Sequence, residues 1–337
     1  ADIGDGWYHG QAVNDQVFSS SAGGADVAVV ANGPLQATLR VRTTLHLPAE
    51  YDFSAMRRSE SRRDLIIDSR VTLRRGARRI EVESAVDNSV CDHRLRVLFP
   101  SGTASQTYWT DTPFDVVERP VALRADNHLY RELEVEGKPQ QSFCAIWDGQ
   151  RGLAVVSCGL PEVGVKDQPD RVIALTLYRS TRRTVGTSGE PGGQLLQQLC
   201  FRYWLVPLAA APDWAALGTL SVELGAGFAD AQLVAQDVPF YRRSTPLPAA
   251  ASGIAVHGAA MVSSVRQVDD AVEVRLWNPN SDAVTVQLEL GPALQHMHHA
   301  RLVDLESRPS SADWILVDGT CEVGLGPKRI VTISLSA

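Results

Sequence analysis

Leu35-Gln36-Ala37-Thr38-Leu39-Arg40-Val41-Arg42, continued by Leu45 and Leu47 against Thr44 and His46, sets apolar against polar side chains at every second position. Leu65, Ile67, Val71 and Leu73 alternate with Asp68, Arg70, Thr72 and Arg74, and Ile80, Val82 and Val86 alternate with Glu81, Glu83 and Asp87. Successive side chains of a strand point to opposite faces, so a period of two predicts antiparallel sheet with one buried and one wetted face. Arg74-Arg75-Gly76-Ala77 falls between two of these runs and reads as a hairpin turn, with Gly76 supplying the backbone freedom. The series ends at Asp92-His93-Arg94-Leu95-Arg96-Val97-Leu98-Phe99-Pro100. A large β platform is seldom a catalyst alone, so its function is sought at its rim or in what it is joined to.

The 337 residues are enough for a substantial core and two domains. A hydrophobic content of 44% with 21% charged residues is that of a globular protein. The net charge of -7 and pI near 5.6 argue against nucleic acid or an anionic membrane as partner, because both favour a basic surface. No apolar run approaches the roughly 20 residues that span a bilayer. Ala1-Asp2-Ile3-Gly4-Asp5-Gly6 has neither a basic start nor an apolar stretch, so it is not read as a signal peptide, and its turn-like opening resembles a cut end. Five scattered cysteines (91, 144, 158, 200 and 321) and no Asn-x-Ser/Thr site give a cytoplasmic expectation.

The first domain is expected over 1–245, with a polar excursion at 49–63. Phe143–Trp147 and Gly152–Ser157 form an expected hairpin across Asp148-Gly149, and the apolar run Val172–Tyr178 reads as a strand covered on both faces. One helix is expected from Pro212-Asp213-Trp214, with Asp213 as cap. The Pro/Ala/Ser-rich stretch 246–253 reads as a linker. A small β-sandwich is expected over 254–337, from the alternation at Val272–Trp277 and Val284–Leu290 about the turn Asn278-Pro279-Asn280-Ser281.

Catalytic motifs are absent: no Gly-x-Ser-x-Gly, no phosphate-binding glycine loop, no His-Glu-x-x-His and no Cys-x-x-Cys. His296, His298 and His299 form the one dense histidine group, but no carboxylate or thiolate lies beside them to complete a metal shell.

Several segments form a pattern when read in order. They are Asp2-Ile3-Gly4-Asp5-Gly6-Trp7, Val86-Asp87-Asn88, Asp92–Gly102, Leu177-Tyr178-Arg179-Ser180, Phe201-Arg202-Tyr203 and Arg275-Leu276-Trp277-Asn278-Pro279. Together they resemble the C-terminal portion of the α-mannosidases of glycoside hydrolase family 38, including bacterial mannosylglycerate hydrolase-like members. The resemblance implies an all-β fold, a large antiparallel supersandwich of galactose-mutarotase type followed by a small β-sandwich. It implies that this chain begins inside the supersandwich, whose first strands come from upstream sequence. It also implies a catalytic barrel on the same polypeptide, carrying zinc or another divalent metal, and an α-mannoside substrate. The family's His-x-Asp metal pair is missing here, and no carboxyl couple of the kind a retaining glycosidase sets roughly 5–5.5 Å apart can be assigned. No catalytic residue, metal ligand or cofactor is therefore expected within this chain, and oligomerisation stays open.

The resemblance carries four residues to the sugar-binding rim: Arg179, which ends a buried strand, and Asp2, Asp5 and Tyr8 of the acidic, aromatic turn. A guanidinium at a strand end offers a planar fork of donors to hydroxyls or a carboxylate; its bland alternative is an ion pair that holds a loop. For the turn, the alternative is aspartates capping backbone amides. Asp92 and His93 read as strand anchors. Trp7, Trp109, Trp147 and Trp277 read as structural first and as sugar-stacking surfaces second. Two other functions compete, a free-standing carbohydrate-binding module and a mutarotase-like enzyme using His93, His128 and Glu132.

Overall fold

A computed structural model describes residues 1–5, 10, 12, 14–131, 133–184, 187–189, 191–229 and 250–337. Among the described residues the chain is all-β with one α-helix, and it divides into two compact units, Ala1–Thr110 with Val117–Pro212, and Asp111–Val116 with Asp213–Ala337.

Among the described residues, seventeen strands precede the helix. They are β1 (Ala25–Asn32), β2 (Gln36–Pro48), β3 (Tyr51–Asp52), β4 (Arg57–Arg58), β5 (Arg62–Arg74), β6 (Ile80–Asp87), β7 (His93–Pro100), β8 (Thr107–Thr112) and β9 (Asp115–Pro120), then β10 (Lys138–Pro139), β11 (Phe143–Trp147), β12 (Gly152–Ser157), β13 (Glu162–Lys166), β14 (Val172–Ser180), β15 (Arg183–Thr184), β16 (Thr187–Ser188) and β17 (Gln198–Leu208). Nine of them build one antiparallel sheet in the order β1-β2-β5-β6-β17-β12-β11-β8-β9, and four build a second in the order β10-β13-β14-β7.

The alternation seen in the sequence is the cause of this arrangement. Thirteen residue pairs register β2 on β5, from Gln36 with Arg74 to Pro48 with Arg62, so Leu39, Leu45 and Leu47 share a face with Val71 and Leu65. That face meets the second sheet in a core that includes Leu65, Val86, Ile146, Val155, Val163, Ile173 and Leu175. β14 is buried along almost its whole length, as its unbroken apolar run requires. Gly76 takes φ +76° in the β5–β6 turn and Gly149 φ +96° in the β11–β12 turn, a region that costs other residues strain.

The polar excursion at 49–63 is more ordered than its composition suggests. It folds back as the β3–β4 pair, with Tyr51 opposite Arg58, and both side chains are buried.

In the second unit, Asp213 caps α1 (Trp214–Ala226) by accepting from the Ala216 amide at 3.0 Å. Then follow β18 (Ile254–His257), β19 (Met261–Val268), β20 (Ala271–Trp277), β21 (Val284–Leu290), β22 (His299–Val303), β23 (Trp314–Ile315), β24 (Thr320–Leu325) and β25 (Ile330–Ser336). Sheets of order β18-β21-β24 and β19-β20-β25-β22-β23 enclose Val274, Leu276, Val286, Leu288, Ile333 and Leu335. The division falls at Pro212, which groups the helix with this unit. Gly218 gives the physical reason: a Cβ there would lie 2.3 Å from the Met261 sulfur, so the bare backbone is what lets helix and strand meet. The boundary expected at 245 lies outside the described residues, as does 246–249 of the expected linker.

Candidate functional site

β14 emerges from the core at Arg179, and the N-terminal residues come back to meet it. The Arg179 guanidinium donates from Nε to Asp2 Oδ2 at 2.6 Å and from Nη2 to Asp2 Oδ1 at 3.1 Å, while Nη2 also reaches the Asp5 carbonyl at 2.8 Å. Asp2 is buried, and its Oδ1 accepts from the Gly4 amide at 3.2 Å. The Arg179 side chain keeps 18% of its surface exposed. Burial works to lower the Arg179 pKa, but the hydrogen bonds and charge of Asp2 outweigh it and raise the value, so this cation is permanent. The structure thus brings Arg179, Asp2 and Asp5 into one cluster; Tyr8 lies outside the described residues. The forked ion pair is the arrangement a loop-holding arginine adopts, and it also presents a fixed cation at a strand end.

A second carboxylate organises the ground beneath. Asp92 is fully buried and sits at φ +55°, a conformation aspartate tolerates better than most residues. Its carboxylate accepts from the Tyr51 amide at 3.1 Å, from Gln194 Nε2 at 2.8 Å and from Arg182 through both Nε (2.9 Å) and Nη2. Its amide donates to Gln194 Oε1 at 2.9 Å, and its carbonyl accepts from the Asp2 amide at 2.9 Å and from Arg58 Nη1 at 3.2 Å. Ser180, next to Arg179, donates to the same Gln194 Oε1 at 2.7 Å. One buried residue therefore ties, through its carboxylate, amide and carbonyl together, the N-terminal turn, the β3–β4 pair, the end of β14 and the loop after it. Asp92 was read as a strand anchor, and this network shows how. Gln194, Arg182 and Arg58 escaped notice because nothing in their local sequence marks them; only the fold brings them to Asp92.

His93 is buried beside this knot, with Nε2 2.9 Å from the Tyr178 hydroxyl and the rings edge to face. Burial first, and the Arg58 charge second, lower its pKa to about 4, so it is neutral near pH 7. Burial raises the Tyr178 hydroxyl, which stays protonated. Along β7, Arg94 pairs with Glu162 at 3.1 Å and Arg96 with Glu136 at 2.5 Å.

The other candidates are scattered. His128 is exposed on the turn Asn127–Leu129, while His93 is in the core, and Glu132 lies outside the described residues. Trp277 is buried against Phe114, and Trp7 lies outside the described residues. His296, His298 and His299 are exposed, and among the described residues no group of three or more His, Cys, Asp or Glu side chains is placed to hold a metal ion. The donor set of the described residues thus does not fit a zinc site. Among the described residues no helix is long and apolar enough to cross a membrane. An open groove of about 740 Å³ on the large sheet is lined by Arg40, Asp68, Arg70, Glu83, Cys200 and Arg202 among others, and contains none of the expected rim residues.

Comparison with known proteins agrees with this architecture. Over its full length the chain superposes on the crystal structure of an alpha-mannosidase from Enterococcus faecalis V583, with a TM-score of 0.83 at 22% identity, and covers 38% of that chain. A protein in the glycosyl hydrolase family 38 from Enterococcus faecalis gives a TM-score of 0.80, also at 22% identity, with all of this chain and 39% of the other covered. A protein named "Putative mannosylglycerate hydrolase" from Halalkalibacterium halodurans is 28% identical over 215 residues, which is 57% of this chain and 22% of that protein. This chain spans under a quarter of that curated relative and under two fifths of the solved ones. Residues 3–184 match the family described as the glycosyl hydrolases family 38 C-terminal domain, and the chain belongs to that family.

Proposed function

We propose that this chain is the non-catalytic C-terminal β portion of a retaining, metal-dependent α-mannoside hydrolase. It buttresses the catalytic barrel of the same polypeptide and lines one wall of the active-site cleft. The observation that carries the reading is the Arg179–Asp2–Asp5 cluster, of which Arg179 and Asp5 lie within the segment matched to the family and Asp2 immediately precedes it. Arg179 is fixed by a buried carboxylate yet partly exposed, which suits a cation that meets a sugar hydroxyl or the carboxylate of an acidic aglycone without losing its position. Tyr8 joins this rim. Zinc, or another divalent metal, resides in the catalytic region outside this chain, together with the two carboxyl groups that cleave the bond. Nothing in the chain points to nucleic acid or membrane as partner, and the enzyme is placed in the cytoplasm.

The test separates the chain from the enzyme. Purified alone and supplied with zinc, the chain is expected to leave an aryl α-mannoside intact, whereas the full-length enzyme hydrolyses it. In the full-length enzyme Arg179→Ala is expected to lower kcat/KM by ten-fold or more, from loss of a charge-assisted contact of about 1.5–3 kcal/mol. Turnover by the isolated chain at the rate of the full-length enzyme overturns the proposal.

A further inference from the structure

The outward face of the large sheet sets arginines against one another. Arg40, Arg70, Glu83 and Arg202 stand in one lateral row across β2, β5, β6 and β17, and the next row on that face brings Arg42 opposite Asp68. Arg40 claims Asp68 through Nε, 2.9 Å from both carboxylate oxygens, and through Nη2. Glu83 lies 3.6 Å from Arg202, although Arg70 is its registered neighbour on the other side. Arg42 and Arg70 are exposed, and among the described residues neither has a hydrogen-bond or ion-pair partner. The Arg40 hydrogen bonds, joined by the charges of Arg40, Arg42 and Arg70, hold the Asp68 carboxyl below its usual range, so one carboxylate faces three guanidinium groups. Like charges directly opposite each other destabilise a strand pair, so Arg40 registered on Arg70 works against the sheet.

Arg40, Asp68, Arg70, Glu83 and Arg202 line the open groove of about 740 Å³, a volume that suits a small ligand. A guanidinium without a partner offers a planar fork of donors to an oxyanion. Asp68 and Glu83 are acceptors, which an anion alone does not call for and hydroxyl groups do. Val30 and Ala85, with the arginine stems, give the same groove apolar surface for the C–H face of a sugar ring. The chain as a whole carries a net charge of -7, which disfavours a long polyanion.

We infer that this groove binds an acidic saccharide, with its carboxylate or phosphate on the Arg70 guanidinium and its hydroxyl groups on Asp68 and Glu83.

Cys200 lines the groove as a free, exposed thiol, so its alkylation reports occupancy, with the exposed Cys158 as internal control. In the full-length protein, a methyl uronoside or a hexose 6-phosphate is expected to slow alkylation of Cys200 saturably and to leave Cys158 unaffected. The more effective of the two identifies the anionic group. The neutral methyl hexoside is expected to give no protection at the same concentration. Arg70→Gln keeps the apolar stem, removes the charge and relieves the Arg40 pair. It is expected to weaken protection by roughly ten-fold while the urea midpoint holds or rises. Unchanged alkylation with both acidic sugars overturns the inference. Equal protection by inorganic phosphate does so as well, because the hydroxyl groups then contribute nothing. Protection by poly-glutamate and by neither sugar assigns the groove to an acidic protein segment instead. A lower urea midpoint in Arg70→Gln makes Arg70 part of the framework of the sheet and likewise removes the site. None of these readouts uses hydrolysis, so the role of Arg179 stands or falls separately.

Discussion

At the scale of the residue, the chemistry of this chain is that of carboxylates taken out of water and answered by arginine. Burial of a carboxylate is unfavourable unless it is paired, and removing one partner leaves the other uncompensated. Arg179→Ala is therefore expected to destabilise the chain by about 2–4 kcal/mol, measured from the urea midpoint, with part of the loss recovered when Asp2→Asn is added. Asp92→Asn keeps the backbone conformation accessible while removing the charge that holds Arg182, so it separates the two contributions; Asp92→Ala loses both and is expected to cost more. His93 gives a pH signature. Its folded pKa of about 4 lies below the ordinary 6.5, so the unfolded chain binds the proton more readily. The contribution is fully present above pH 6.5 and is lost as pH falls towards 4, by about 3 kcal/mol. Equilibrium unfolding across pH 7 to 4 is expected to show a shallower fall for His93→Gln, after subtraction of the shared carboxylate effects. Parallel curves for the two proteins count against this assignment.

At the scale of the element, the hairpins were readable because their turns need particular residues, while the closeness of backbones was not. Gly152 opens β12 opposite Trp147, and a Cβ there would fall 2.2 Å from the Ile146 carbonyl oxygen. Since one of these backbones must move, Gly152→Ala is expected to cost about 1–3 kcal/mol, as overpacking does, read as a lower thermal midpoint. The same argument applies to Gly193, whose Cβ would sit 2.4 Å from the Thr181 carbonyl oxygen and would strain the loop that delivers Gln194 to Asp92. Unchanged stability in Gly193→Ala would show that this loop gives way without loss. α1 illustrates a different limit. Its cap was visible at Asp213, but its partner strand was not, because the decisive feature is an absent side chain at Gly218.

At the scale of the whole molecule, the chain folds as two β units, and the family relationship through residues 3–184 lies in the first of them apart from Asp111–Val116. If the chain supplies one wall of a cleft, as proposed, calorimetric titration of the isolated chain with methyl α-mannoside is expected to give no heat beyond dilution, because one wall rarely holds a monosaccharide alone. Saturable binding abolished by Arg179→Ala would favour a free-standing carbohydrate module instead. The sequence by itself determined the all-β class, six of the nine strands of the large sheet (β2, β5, β6, β11, β12 and β17), the cap of the helix and the strand end that carries Arg179. These follow from side-chain periodicity and turn chemistry, which act between near neighbours. Only the tertiary structure decided that Asp2 answers Arg179 across 177 positions, that Gln194 and Arg182 converge on Asp92, and that Arg40, Arg42 and Arg70 gather about Asp68. Pairing of distant side chains depends on which strands become neighbours, and periodicity within a strand carries no record of that choice.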